Sequence, residues 1–235
     1  MNVDVVPPEL NFRGLSYGEW VTVWNNWLLS EDPDTYDGGD VLFLRGNINY
    51  KPVAGIEGAP RHIDPHGVYD RTGQKGERIF EKTSIFFPVI DSMIKIGEMY
   101  DGNVIERIEE LRYTVNKDIN EGGPMWATII RKGDMKTSKI VKNLKDYRVE
   151  SPLFRLVIPK NSLLKDKTEY ASKPGIYDAV SGGYFIMIRS LPPSTYRINF
   201  GAKGRGTYRT NAVYDILVEG KKRDRVIDES NVYNV

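Results

Sequence analysis

The chain has two histidines, and both lie in one short segment, RHIDPH at 61–66. Imidazole and carboxylate groups suit Zn, Mn or Fe, so His62, Asp64 and His66 are candidate ligands of one divalent metal. Pro65 removes helical i, i+4 geometry, and no residue is identified for the fourth coordination position. The alternative, which we favour, is a surface turn in which Asp64 accepts hydrogen bonds from the loop.

An acidic turn, EDPDTYDGGD at 31–40, offers hard oxygen ligands separated by glycines. Carboxylates of this kind bind calcium, and the candidate ligands are Asp32, Asp34, Asp37 and Asp40. Their spacing is not that of an EF-hand, and Asp and Gly are also the residues that a solvated turn prefers. We therefore expect a solvated turn and no calcium.

The glycine-rich segment GAKGRG at 201–206 has the composition of a phosphate-binding loop. Such a loop lies between a strand and a helix N-terminus, whereas a second strand pattern follows this one, so we predict a hairpin loop. No Gly-x-Ser-x-Gly motif occurs, and the absence of cysteine excludes thiol nucleophiles, thiolate zinc sites and disulfides. We expect no cofactor and no catalytic residue. The protein is therefore predicted not to be an enzyme.

Charge is balanced over the whole chain but uneven along it. The formal net charge is +1, which argues against a specific nucleic-acid binder or a polybasic membrane anchor. Residues 1–60 carry an excess of acids, whereas residues 131–148 carry an excess of bases. No apolar run approaches the roughly 18–20 residues of a membrane helix, and the N-terminus lacks the pattern of a signal peptide. The charge asymmetry suits docking on a partner or on another copy, although two solvated surfaces explain it equally simply.

The elements that must position these residues are mostly strands. β-Branched and aromatic residues alternate with Gly, Pro and Ser clusters, a pattern typical of an antiparallel sandwich or barrel. The predicted strands are Val41–Arg45, Thr83–Ile90, Met125–Arg131, Ser138–Val141, Tyr147–Val149, Phe154–Ile158, Ile176–Val180, Tyr184–Arg189, Tyr196–Phe200 and Val213–Val218. Pro88 indicates an edge or a bulge.

Two helices are predicted, at about 17–29 and about 103–117. Ser16 and Glu19 form a capping box at the start of the first helix. Trp20, Trp24 and Trp27 then fall on one face, which we expect to be buried against the sheet. The fold class is accordingly mainly β (α+β), a jelly-roll-like antiparallel sandwich with two covering helices.

One domain is expected at 16–220, between an extended N-terminal arm at 1–15 and a C-terminal arm at 221–235. The arms have little apolar periodicity, so we expect neighbouring subunits rather than their own core to hold them. Residues 46–78 form the longest structure-poor stretch, which is typical of a functional loop or an Ω-loop.

Five motifs occur in a fixed order along residues 16–220. They are the Trp-rich first helix, FFPVI at 86–90, YRVESPLF at 147–154, GGYF at 182–185, and LPP at 191–193 followed by YRI at 196–198. In this order they resemble a family of uncharacterised β-rich proteins, found as secreted bacterial proteins and as products of tailed phages of marine cyanobacteria. The bacterial members generally carry signal peptides and cysteines, so the resemblance is to the phage members. It implies no catalytic residue.

The resemblance and the composition together predict a non-enzymatic structural or interaction protein, a head-decoration or accessory component of a phage particle. We expect it in the virion, with a cytoplasmic location as the alternative, and in contact with other virion proteins or copies of itself in an oligomer or lattice. The other functions considered are a carbohydrate- or metal-binding module that uses the 46–78 loop, with Tyr50, Tyr69, His62 and His66, and a metal-dependent hydrolase that uses the two histidines.

Overall fold

The structure is a computed structural model that describes residues 3–31, 33, 39–46, 50–51, 62–63, 69–100, 103–134, 137–162, 173–203 and 209–220. Within these residues the chain forms two six-stranded sheets, two small two-stranded sheets and two α-helices. The helices are α1 (Tyr17–Leu28) and α2 (Ile108–Asn120), and short 3₁₀ helices occur at Gly73–Lys75 and Leu144–Tyr147. The strands are β1 (Asp4–Val5), β2 (Val41–Phe43), β3 (Tyr50–Lys51), β4 (His62–Ile63), β5 (Tyr69–Arg71), β6 (Glu77–Phe80), β7 (Ser84–Lys95), β8 (Met99–Tyr100), β9 (Asn103–Val104), β10 (Met125–Arg131), β11 (Ser138–Lys139), β12 (Arg148–Glu150), β13 (Phe154–Ile158), β14 (Gly175–Ser190), β15 (Ser194–Lys203) and β16 (Arg209–Glu219).

The first sheet is built on the long antiparallel pair of β14 and β7. Strands β13, β12 and β1 pair one after another with the edge of β14 that faces away from β7. Strand β2 pairs in parallel with the opposite edge of β7. Successive side chains of β14 point to opposite faces, so Phe185 and Met187 face one layer while Ile186 and Ile188 face another. The two faces of this sheet are therefore covered by different elements.

The second sheet has the order β11-β10-β15-β16-β5, and β6 also pairs with β16. Its inner face carries Ile129, Ile198, Phe200 and Ile216, which join Ile186 and Ile188 of the first sheet in one buried cluster. Because the inner faces of the two sheets share this one buried cluster, the pair is a face-to-face sandwich. The predicted mainly β, α+β sandwich is confirmed, with one difference: three edge pairings, β2 with β7 and both β5 and β6 with β16, are parallel.

Helix α1 covers the outer face of the first sheet. Ser16 and Glu19 form the predicted capping box, in which the Ser16 N–H donates to the Glu19 carboxylate at 2.7 Å. Trp24 packs edge-on against Phe185 at a ring distance of 5.9 Å, and its indole N–H donates to the Leu44 carbonyl at 2.9 Å. Trp20 and Trp24 are buried as predicted, whereas Trp27 is only partly buried.

Helix α2 packs beside the second sheet on the inner face of the first. Leu111 and Val115 join Ile94 and Val180 in a third buried cluster. The helix runs over Ile108–Asn120 and not over the predicted 103–117, because Arg107 holds extended dihedral angles at the N-cap and Asn103–Val104 pair as a strand with β8. The three-residue extension at the other end reaches the predicted stop at Gly122 and Gly123.

Gly182 and Gly183 were predicted to separate two strands, and this prediction is wrong. They lie inside the continuous strand β14, where a Cβ on Gly183 would meet the Ile90 carbonyl oxygen at 2.2 Å and one on Gly182 would meet Val115 at 2.9 Å. Glycine is therefore required by close packing of neighbouring elements and not by a turn. Opposite this point the register shifts between Pro88 and Ile90, which is the bulge that Pro88 indicated.

The N-terminal segment is extended, as predicted, but the prediction that its own domain would not order it is wrong for the described residues. Val6 and Phe12 are buried in the cluster under α1, and β1 pairs with β14. Tyr17 joins the two, since its hydroxyl donates to the Val6 carbonyl at 2.5 Å and accepts the Met187 N–H at 3.0 Å. Two isolated apolar anchors without periodicity are sufficient to dock this segment. The C-terminal arm at 221–235 lies outside the described residues.

Among the described residues, neither helix combines the length and apolar character required to cross a bilayer.

Candidate functional site

The predicted metal-binding segment falls mostly outside the described part of the chain. His62 is in β4 and its backbone pairs with Lys51, while Asp64 and His66 are not among the described residues. Across the described ranges no group of three His, Cys, Asp or Glu side chains is placed to hold a metal. The predicted surface turn, and the metal site at His62, Asp64 and His66 that is its alternative, both stay untested by the structure.

Of the four candidate calcium ligands, only Asp40 is described; Asp32, Asp34 and Asp37 lie outside. The Asp40 carboxylate accepts a hydrogen bond from Arg13 at 2.6 Å, in an ion pair on the surface. This oxygen therefore neutralises a cation of the N-terminal segment.

The 46–78 stretch is not one loop throughout, and in this respect the prediction is wrong. Tyr69–Arg71 and Glu77–Phe80 pair in parallel with β16 as short edge strands. The Tyr69 ring, a candidate carbohydrate contact, lies under the Arg45 guanidinium at 4.0 Å and packs on Tyr214 at a ring distance of 5.7 Å. The same side chain therefore already serves packing at the sheet edge.

The glycine-rich segment lies where the hairpin prediction places it. Strands β15 and β16 pair antiparallel up to Lys203 and Arg209, and residues 204–208 between them are outside the described chain. A strand and not a helix follows the glycines, so the helix N-terminus that a phosphate loop uses is absent from the described residues here.

A groove of about 300 Å³ lies at the rim of the second sheet, and we call it the Trp126 groove. Its wall is the solvent-facing side of β10, since Ala127 and Ile129 point into the core and Trp126 and Thr128 point outward. The other lining residues belong to the start of β10, the loop before it, β11 and the segment after β11: Gly123, Pro124, Met125, Lys139, Val141, Lys142, Asn143, Leu144 and Lys145.

The Trp126 ring is fixed flat against the sheet. Trp126 is directly opposite Gly201 on β15, and a Cβ on that glycine would meet the indole at 2.5 Å. The indole N–H donates to the Asn199 side-chain oxygen at 2.9 Å. Because the ring is held from below and at its edge, its orientation is set before any ligand arrives.

The charge of the Trp126 groove is positive. Lys139, Lys142 and Lys145 are exposed on it, and none of the three is ion-paired to another residue in the described part of the chain. The one acid in the same turn, Asp146, accepts a hydrogen bond from Asn143 at 2.7 Å. The Asn143 side chain in turn accepts from the Lys145 N–H, which fixes the turn that carries two of the lysines.

A second and wider depression of about 650 Å³ lies where α1 meets β12 and the N-terminal segment. Apart from Glu9 and Arg148, whose buried Nη1 has no hydrogen-bond partner among the described residues, its polar side chains are already used by the fold. Hydrogen bonds from Ser16 lower the pKa of Glu19, the Tyr17 hydroxyl bridges two strands, and Glu150 pairs with Arg112 at 3.3 Å. We therefore assign this depression to the packing of α1.

Two ionisable groups titrate abnormally inside the first sheet. Burial raises the pKa of Asp91 to about 7, and burial lowers the pKa of Arg148. The Arg148 guanidinium lies over the Tyr184 ring at 5.6 Å and donates to the Asn116 side chain on α2. Arg148 thus joins α2 to the sheet.

An exposed apolar pair lies on the face of the first sheet opposite α1. Val157 and Ile176 are directly opposite each other on β13 and β14 and are 48% and 60% exposed. Two residues along the same strands, and so on the same face, the opposed residues Arg155 and Asp178 form an ion pair at 3.0 Å. Ile108 and Tyr113 on α2 are also exposed. We call the cross-strand pair of Val157 and Ile176 the apolar patch.

Sequence reasoning identified neither the groove nor the patch. The basic run at 131–148 was visible, but its lysines alone also describe a solvated surface. The residue that distinguishes the groove from a solvated surface is Trp126. Its outward direction follows only from the alternation that puts Ala127 and Ile129 into the core.

Comparison with family models, with curated proteins and with solved structures finds no match to this chain.

Proposed function

We propose that this protein is a non-enzymatic structural and interaction protein, a head-decoration or accessory component of a phage particle that contacts other particle proteins or copies of itself. The observation that carries the interaction role is the apolar patch. The particle setting is supported by the ordered motifs that resemble products of tailed phages.

The apolar patch has the composition of a protein contact surface. Large apolar side chains scattered singly over a surface are ordinary, but Val157 and Ile176 form a cross-strand pair on an uncovered part of a sheet. The neighbouring Arg155–Asp178 ion pair supplies a polar border, which is the usual arrangement of an interface with an apolar centre and a polar rim.

The partner is expected to be a protein surface and not a small ligand, because the patch is an exposed pair on a sheet face. An exposed β-branched pair gains most from burial against a flat apolar surface. About half of each side chain is still exposed, so its burial adds on the order of 1 kcal/mol per side chain, a gain that a repeated lattice multiplies.

The test is association of purified protein measured by light scattering and by co-sedimentation with particles. Val157→Lys with Ile176→Glu should lower both self-association and particle binding by about tenfold or more, and because the new charges are opposite in sign across the two strands, the melting temperature should change little. Leu10→Asp is the matched control, because Leu10 is equally exposed but lies on the N-terminal segment. Association that the patch variant retains in full, or that the Leu10 variant loses as strongly, would contradict the proposal.

A further inference from the structure

We propose that the Trp126 groove is a binding site for an acidic saccharide, that is, a sugar carrying carboxylate or sulfate groups. This site is independent of the apolar patch. It lies on the rim of the second sheet, whereas the patch lies on the first sheet.

The flat indole supplies the surface for a sugar ring. Aromatic rings present an electron-rich face, and the C–H groups on one side of a pyranose ring are weakly positive, so the two stack. Trp126 is held by Gly201 beneath it and by the hydrogen bond from its N–H to Asn199, so no conformational freedom is lost when a ring settles on it.

The lysines supply the recognition of the acid groups. Lys139 on β11 is directly opposite Thr128 on β10, and Thr128 is two residues from Trp126 on the same face of β10. Lys142 and Lys145 lie in the segment that follows β11. Since none of these ammonium groups is ion-paired within the described chain, a ligand anion gains charge-assisted hydrogen bonds without displacing an internal partner.

The remaining lining suits an amphipathic ligand. Met125, Val141 and Leu144, which also pack against the core, contribute apolar atoms to the lining. The Thr128 hydroxyl donates to the Asn199 carbonyl and the Asn143 amide is bonded within its turn, so a sugar hydroxyl would use their remaining lone pairs and the second amide hydrogen. A volume of about 300 Å³ is at the lower end of the range for small-ligand sites, so the groove holds a short portion of a chain and not a whole polymer.

A saccharide is favoured over a nucleic acid by the charge of the whole molecule. Strong binding to a phosphate backbone requires many neutralising contacts along its length, and this chain has a net charge of only +1. A strand of bases also binds along several stacking rings, whereas Trp126 is the one aromatic side chain among the residues that line this groove.

The experiment compares binding of the full chain to dextran sulfate, polygalacturonate, neutral dextran and a thymidine oligonucleotide by isothermal titration calorimetry. Binding of at least one of the two acidic saccharides, with no binding of neutral dextran and weaker binding of the oligonucleotide, supports the proposal. Binding of neither acidic saccharide, equal binding of neutral dextran, or tighter binding of the oligonucleotide overturns it.

Variants then locate the site. Trp126→Ala and the triple variant Lys139→Ala/Lys142→Ala/Lys145→Ala should each weaken acidic-saccharide binding by about tenfold or more, and Trp126→Phe should retain most of it. The matched control is Lys75→Ala/Lys82→Ala/Lys160→Ala, which removes three exposed lysines elsewhere. An equal loss in this control would assign the binding to general charge and overturn the site. Because the groove lysines are exposed, the triple variant remains informative even where Trp126→Ala fails to fold.

Discussion

At the scale of single residues, Asp91 lies directly opposite Gly183 in the middle of the first sheet, and burial raises the pKa of this carboxyl to about 7. A raised carboxyl pKa means that the folded protein holds its proton at a pH where the unfolded chain has released it. Folding stability therefore decreases with rising pH wherever the two states differ in protonation.

We predict that the free energy of unfolding decreases between about pH 4 and about pH 7, with a contribution from Asp91 of at most about 1.4 kcal/mol per pH unit. The contribution is fully present below the unfolded pKa and is lost as the pH passes the folded value. Asp91→Asn should flatten this part of the profile, measured by urea unfolding at several pH values, while the exposed control Asp134→Asn should leave it unchanged. An identical slope in Asp91→Asn and the wild type would show that the carboxyl is not responsible.

The tryptophans show what the sequence predicts at this scale. Trp20 and Trp24 are buried as their helical spacing predicts, because one amphipathic face leaves a single direction for the core. Trp126 follows no such pattern, and its role depends on Gly201 and Asn199, which are more than seventy positions away in sequence. Contacts between distant strands are set by register, which local spacing does not encode.

At the scale of elements, the β14–β7 pair organises the first sheet, and two glycines determine how closely it packs. Gly182 lies against Val115 of α2, and Gly183 lies against the backbone of Ile90 at the bulge. Neither glycine has the positive φ of a turn. The prediction of a turn there was wrong, because paired glycines indicate a close approach of backbones as well as a chain reversal.

Gly183→Ala should destabilise the protein by about 1–3 kcal/mol, because the new methyl group would overlap a carbonyl oxygen that the sheet holds in place. Gly220→Ala is the control, since a Cβ there meets only Pro193 at 3.6 Å. Thermal and urea unfolding of both variants measure the difference. A Gly183→Ala protein as stable as the control would mean that the strands separate easily at the bulge.

The helices illustrate a second limit of sequence reasoning at this scale. The start of α1 was predicted well because a capping box marks it, and the box is present. Helix α2 lacks a side-chain cap at Arg107, and its first predicted residues pair as the strand β9. Without a capping residue, apolar periodicity identifies the helix but not where it begins.

At the scale of the whole molecule, the layers run from α1 through the first sheet to the second sheet. The sandwich class followed from the alternation of short strands and turn residues, and it is confirmed. The N-terminal segment was predicted to depend on a neighbour, yet Val6 and Phe12 are buried under α1 in the same chain. Isolated anchors of this kind leave no periodic signal.

Deletion of residues 1–14 should therefore destabilise the isolated protein by several kcal/mol, since it exposes the sites of two buried apolar side chains at about 1.5–3 kcal/mol each. It also removes the Val6 carbonyl that accepts the buried Tyr17 hydroxyl. Urea unfolding under conditions that light scattering shows to be monomeric measures the effect. An unchanged unfolding midpoint would restore the view of this segment as an arm for a neighbouring subunit.

The central claim is that the protein is a component of a phage particle, and quantitative mass spectrometry of purified particles tests it most directly. Phage particles that encode this chain are banded on a density gradient. Peptides of this chain and of a known head protein are then both quantified against isotope-labelled standards. The account predicts a fixed copy number per particle that persists after a second gradient. Peptides that stay in the lysate and are missing from the banded particles would contradict it.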